Sequence, residues 1–419
     1  MSLVGKLYNR VLLNRIRGKV EPLLRYNQNG FRPGRSTVQH VLCLRRILEQ
    51  CRVRQNTNCV AVFVDFSKAF DSISRARMEL ILSSYGIPQK IVKAIMSMYL
   101  YTSATVITPD GQSDPFDITA GVLQGDTLSP FLFVVVVDYV MRLTVPDPSV
   151  GFRWKRREGS RRPAGHIADL DYADDIVLLT NSVENAQQLL TALETNAKIV
   201  GLKINISKTE FMLAGDFCEQ PLLTTSNGPI RQVDDFKYLG CWLRDSKKDF
   251  MIRRTQAFDA ANRMWHVWKS DISRSLKIRL FHVTVESVLL YGSETWCMTQ
   301  WMKKRLDGAY TRLLRKVLNI SWRLQVPNTE LYGRLPRPST LVTKRRLQLA
   351  GHCFRACGTQ YQPASDLVFW QSHEKFRTGQ GNTLTYIRML RSDTGLELDE
   401  MHKVAMNRDE WRDLCHRAT

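Results

Sequence analysis

CVAVFVDFSKAFDS (residues 59–72) and LDYADDIVLL (residues 170–179) are the two stretches from which the rest of this chain is read. The first is β-branched and aromatic from Cys59 to Phe66, the composition of a strand buried on both faces, and that strand closes on Asp65. Around the second, Ile167 to Tyr172 and Ile176 to Thr180 read as short strands parted only by Ala173, Asp174 and Asp175, a spacing that predicts a hairpin. Carboxylates from well-separated parts of the chain then converge on one sheet edge. Such a cluster repels itself unless cations sit in it. Mg²⁺ takes hard oxygen ligands, usually a few carboxylates plus substrate phosphates. Two such ions about 3.5–4 Å apart stabilise both the attacking and the leaving oxygen of a phosphoryl transfer. Asp169 and Asp171 alternate onto one face of their strand and, with Asp71, are read as structural.

Outward from these stretches, residues 3 to 24 carry apolar side chains at helical spacing interleaved with Lys and Arg, predicting an amphipathic helix with a basic face. Pro88 suits the first turn of a helix running to about Tyr99. Ala104 to Thr108 and Phe116 to Thr119 suit a hairpin turning at Asp110-Gly111. A loop from Gly121 to Pro130 opens an apolar helix, Phe131 to Leu143. Val183, Ala186, Leu190, Leu193, Ala197 and Val200 trace one helical face that stops at Gly201. Beyond about residue 245 the pattern turns helical over roughly 252–268, 273–291 and 300–319, and Pro327, Pro336 and Pro338 mark a break before a C-terminal piece. The expected regions are therefore 1–245, 246–325 and 326–419.

With 60 Lys and Arg against 40 Asp and Glu, the net charge of +20 and the pI near 9.7 point to an extended polyanionic partner. Residues 271–360 hold 16 Lys or Arg against five Asp or Glu, so over half the excess lies in that span. Nine scattered cysteines and the lack of a long apolar core near Met1 favour a reducing, intracellular setting. The longest apolar run, Phe131 to Val137, is far short of the roughly 20 residues needed to cross a bilayer, so no membrane partner is expected.

AVFVDFSKAFDS (61–72), AGVLQGDTLSPFLF (120–133), LDYADDIVLL (170–179), GLKINISKTEFM (201–212) and YLG (238–240) resemble, in order, the successive blocks of reverse transcriptases. With NQNGFRPGRST (27–37) in front and YGSETW (291–296) behind, the chain is similar to the non-LTR retrotransposon group over about residues 3 to 360. The resemblance implies an α+β right-hand polymerase fold: fingers and palm with an antiparallel sheet, a mainly helical thumb and a C-terminal extension. It implies RNA-directed DNA polymerisation with two Mg²⁺ ions, or Mn²⁺, held by Asp65, Asp174 and Asp175. An RNA template, a DNA primer or target and dNTPs would be the partners, with a nicked chromosomal end as primer.

In that resemblance Phe70 lies beneath the incoming sugar and excludes a 2′-hydroxyl, which disfavours an RNA-dependent RNA polymerase. Gln124 and Gly125 border the nascent base pair, and glycine there lets backbone approach a ligand. Lys208 matches a lysine that protonates the leaving pyrophosphate; pairing with Glu210 is the alternative. Arg32 and Arg35 are read as backbone or template-phosphate contacts, because arginine forks suit phosphate. Tyr238, Leu239 and Gly240 would contact template and primer. Most tryptophans after residue 250 are read as packing, with nucleic-acid contact left to Lys and Arg.

Arg153 to Arg162 (RWKRREGSRR) reads as a solvated basic loop rather than a nuclear-localisation patch. His352, Cys353, Cys357 and His373 lack the paired spacing of a zinc site. The resemblance also implies a further block ahead of residue 1, so the chain is read as truncated, without its endonuclease. It would act as a nuclear or cytoplasmic ribonucleoprotein of undefined oligomeric state. A catalytically inactive, nucleic-acid-binding remnant is the alternative function.

Overall fold

The computed structural model describes residues 2–155, 164–217, 221–357 and 363–418. The chain forms two compact units, Met1–Thr37 with Asn56–Asp234, and Val38–Gln55 with Asp235–Thr419. This differs from the regions expected from sequence. The stretch 38–55 belongs to the second unit, and residues after 326 share one core with the helices before them: Leu42, Trp268, Leu313, Leu347 and Trp411 lie in a single buried cluster. The prolines that mark a break along the chain do not break that core.

The first unit is built on a five-stranded sheet. Its strands are β1 (Cys59–Val64), β2 (Asp169–Tyr172), β3 (Asp175–Thr180), β4 (Glu210–Ala214) and β5 (Arg231–Gln232), in the order β5-β4-β1-β3-β2. All pairings are antiparallel except β4 with β5. Every residue of β1 is buried, as its unbroken apolar run requires of a central strand covered on both faces. Helices α1 (Leu3–Val20), α2 (Arg75–Ser84), α3 (Ser129–Thr144) and α4 (Val183–Ile199) complete the core. Ser182 caps α4 by accepting from the Asn185 N–H, and Gly201, at φ +89°, lets the chain turn away beyond its end. Helix α3 buries Phe131 to Val137 on all sides, so each of these side chains contributes about 1.5–3 kcal/mol of burial. Between α2 and α3 the expected hairpin forms in two tiers, Ser103–Ala104 with Phe116–Asp117 and Ile107–Thr108 with Gly111–Gln112.

The second unit is mainly helical, with Thr37–Val53, Ser246–Arg263, Gln300–Val317 and Pro338–Ala356 as the longest helices among its described residues. Trp268 and Trp296 are fully buried, their indole N–H groups donating to Ala261 O and Asp249 Oδ2. Trp265 and Trp301 lie at the surface. The antiparallel sheet and the helical second unit match the α+β architecture expected from sequence. Among the described residues no helix is long and apolar enough to cross a membrane.

Candidate active site

The sheet register sets the carboxylates. Val64 of β1 pairs with Ile176 of β3, so Asp65 leaves the end of β1 beside Asp175, the first residue of β3. Tyr172 pairs with Asp175, which closes the β2–β3 hairpin in a two-residue turn of Ala173 and Asp174. Ala173 carries the positive φ of 58° that the turn demands. Asp65, Asp174 and Asp175 thus gather at one end of three adjacent strands. Burial, and then the charge of Asp65, raise the Asp174 pKa. Burial, Asp174 and Asp65 push Asp175 up to about 6, although its side chain reaches the surface. The three carboxylates concentrate negative charge at this sheet end.

Behind it, the segment Gly201 to Thr209 fixes Asp65 from the β4 side. Asn205 N–H donates to Asp65 O at 2.8 Å, and the Asp65 N–H donates to Thr209 Oγ1 at 3.2 Å. The same segment brings Lys208 Nζ to 3.9 Å from Asp65 Oδ2. Lys208 does not pair with Glu210, whose carboxylate is taken by Arg231. Phe70 lies flat on Phe133, ring centroids 4.1 Å apart, and edge-on to Phe31 at 6.4 Å. It is half-buried and keeps an open side. The loop after Gly121 passes so close to Asp71 that a Cβ on Gly121 would stand 2.7 Å from Asp71 Cα. Gln124, on that loop, donates to Asp71 Oδ1 at 2.7 Å, which gives the exposed Gln124 and Gly125 a defined position.

Of the expected nucleic-acid contacts, Arg32 and Tyr238 are buried within the protein. Arg32 is buried, with Nε on Glu21 Oε1 at 2.7 Å and its Nη groups donating to the carbonyls of Glu21, Arg25 and Gln28. Four of its five N–H groups are spent on the protein, so its fork shapes the loop rather than facing a template phosphate. Arg35, by contrast, stays half-exposed with its guanidinium 5.2 Å from the Tyr26 ring. Tyr238, Leu239 and Gly240 belong to the second unit and form a tight hairpin between Lys237–Tyr238 and Cys241–Trp242. Leu239 and Gly240 both have positive φ, and the Tyr291 hydroxyl donates to Leu239 O at 3.0 Å. Tyr238 itself is buried. Of the basic run Arg153 to Arg162, residues 156–162 lie outside the described residues.

The sequence matches the reverse transcriptase (RNA-dependent DNA polymerase) family over residues 1–243, more than half of the chain. The chain belongs to the reverse transcriptase family. This reverse transcriptase is 26% identical over 347 residues to the Pol polyprotein from a type-1 retrotransposable element R2 of Popillia japonica, covering 80% of this chain and 46% of that protein. It is 30% identical over 210 residues to the Pol polyprotein from the type-2 element R2DM of Drosophila melanogaster, covering 49% of this chain and 18% of the relative. The chain thus spans under half the length of these two relatives. Among solved structures, the apo telomerase of Candida tropicalis aligns with 87% of this chain and 60% of its own, at 12% identity and a TM-score of 0.39. The match to retrotransposon polyproteins agrees with the non-LTR resemblance read from the blocks.

Among the described residues of this reverse transcriptase, no three His, Cys, Asp or Glu side chains form a ready-made metal cage. The donor set nonetheless fits divalent cations: hard carboxylate oxygens at one sheet end, with the Asp174 and Asp175 pKa values raised by burial and by neighbouring carboxylates. Sequence reading missed Arg25. Its Nη2 lies 2.5 Å from Asp169 Oδ1 and its Nη1 3.2 Å from Asp171 Oδ2, so one cation bridges two fully buried carboxylates of β2, while its N–H donates to Asp138 Oδ1 at 2.7 Å. Asp171 is still raised well above the usual carboxylate range, by burial and then by Asp169. The same-face alternation of Asp169 and Asp171 was the available signal; nothing in the sequence points to Arg25 as their partner.

Proposed function

We propose that this chain is the RNA-directed DNA polymerase of a non-LTR retrotransposon, adding dNTPs to a DNA primer on an RNA template. The observation that carries the reading is the convergence of Asp65 with Asp174 and Asp175 at one end of the antiparallel sheet. Asp65 and Asp174 would hold two Mg²⁺ ions, or Mn²⁺, with Asp175 beside them. When bound, these supply charge stabilisation to the attacking 3′-hydroxyl and the leaving pyrophosphate.

The chain's own residues do the positioning. Thr209 and Asn205 hold the Asp65 backbone, and the Ala173 turn holds Asp174. Lys208 would give a proton to the departing pyrophosphate, a role its ammonium 3.9 Å from Asp65 Oδ2 supports. Phe70 lies under the sugar and leaves no room for a 2′-hydroxyl, and Gln124 and Gly125 border the nascent pair. The exposed cations of the second unit bind template and primer phosphates. Priming from a nicked chromosomal end and action in the nucleus complete the proposal.

The test is extension of a labelled DNA primer on an RNA template with Mg²⁺ and dNTPs. Extension is the expected result. Salt-sensitive RNA binding with no extension in Mg²⁺ or Mn²⁺ would refute it.

A further inference from the structure

The turn that carries Asp174 is held from outside the sheet. Gln28 is wholly buried, and its Oε1 accepts both the Ala173 N–H at 2.8 Å and the Gly30 N–H at 2.7 Å. Its Nε2 donates to Ala173 O at 3.3 Å. Both backbone polar groups of Ala173 are therefore satisfied by a single side chain, at the residue whose positive φ makes the turn. Alongside, Asn29 N–H donates to Asp171 O at 2.8 Å and Asp171 N–H donates to Asn27 O at 2.9 Å, so residues 27–29 run as a short parallel partner to β2. Asn27 Nδ2 and the Arg25 guanidinium fasten the same segment to Asp169. Gly30 is required by space: a Cβ there would fall on the Ala173 backbone, 2.8 Å from its Cα.

A left-handed alanine is sparsely populated and persists only where its surroundings over-determine it. Here they do, through a side chain whose amide oxygen is occupied by two backbone N–H groups. We propose that Gln28 is a positioning residue of the catalytic centre. It clamps the Ala173 turn and so fixes where Asp174 and Asp175 stand relative to Asp65. This rests on the polymerase reading above. It goes beyond that reading in making metal affinity and turnover depend on a side chain that touches neither metal nor substrate.

The test uses the full chain with two substitutions, Gln28→Met, which keeps length and volume but removes all three hydrogen bonds, and Gly30→Ala, which keeps those groups and displaces the turn. Mn²⁺ affinity is read by electron paramagnetic resonance, and kcat and KM for dNTP by primer extension. Both variants are expected to weaken Mn²⁺ binding and lower kcat by about 10–100-fold, with KM and primer–template affinity within about threefold of the parent. If Gln28→Met does not fold, Gly30→Ala decides alone. Unchanged Mn²⁺ affinity and kcat in a folded variant overturn the assignment, as does loss of fold in both, which would make the contact purely structural. A parent chain that binds Mn²⁺ but never extends sinks the polymerase reading alone; the Mn²⁺ arm then still judges Gln28.

Discussion

Phe70 is a small ring with a specific demand on it. It lies flat on Phe133, which fixes its plane, and stays half-exposed five residues beyond Asp65. Shortening it to alanine removes the ring without touching a carboxylate, so Phe70→Ala should lower the preference for dNTPs over NTPs in kcat/KM by at least about tenfold, a loss of roughly 1.4 kcal/mol of discrimination. Single-nucleotide incorporation measures it, and unchanged sugar selectivity would remove Phe70 from that role. Asp175 makes a second prediction. Its folded pKa of about 6 lies above the ordinary carboxylate value, so it takes up a proton as pH falls through 6, and without metal the folded state gains stability in that direction. A divalent ion competes with that proton. The Mg²⁺-induced rise in Tm should therefore be full at about pH 7.5 and largely gone by about pH 5, as thermal melts with and without Mg²⁺ would record.

At the scale of elements, helix α3 is anchored by one buried acid in an otherwise apolar run. Asp138 accepts from the Tyr85 hydroxyl at 2.5 Å, from the Arg25 N–H and from Arg142 Nε at 2.8 Å. Replacing it by leucine strands those donors, and Asp138→Leu should cost about 3–5 kcal/mol in urea unfolding. A loss within about 1 kcal/mol would show that the network adds little to folding. Elements of this unit were legible where local pattern decides them. The β-branched run of β1, the tight spacing around Asp174 and the apolar periodicity of α4 each have one compatible structure. What was not legible is long-range pairing. Arg25 reaches Asp171 across 146 residues and Asp138 across 113. An arginine beside an Asn-Gly sequence looks like a solvated loop residue, and Arg32, read as a phosphate contact, spends its fork on carbonyls of its own loop.

For the whole molecule, the proposed function makes the excess charge of +20 the source of nucleic-acid affinity. Helix Gln300–Val317 presents Lys304, Arg312 and Lys316 to solvent while burying Leu306, Tyr310 and Leu313. Primer–template affinity should fall at least about tenfold between 50 and 200 mM salt, and the triple change of those three cations to alanine should reduce the log–log salt slope by about 2–3. Fluorescence anisotropy reads both; a slope that does not move would place the contacts elsewhere. The helical character of this unit was plain from sequence, but its membership was not. Residues 38–55 lie far ahead in the chain, and the packing of Leu42 with Trp296 and Leu347 in one core, with Arg45 on Asp249, reveals them as part of it. The central claim is that Asp174, on the Ala173 turn, holds metal for nucleotidyl transfer beside Asp65. Single-turnover extension with saturating primer–template and Mg²⁺ tests it most directly, comparing the parent chain with Asp174→Asn. The expected result is a loss of at least about a thousandfold with template affinity unchanged, and a variant that extends within about tenfold of the parent would contradict the account.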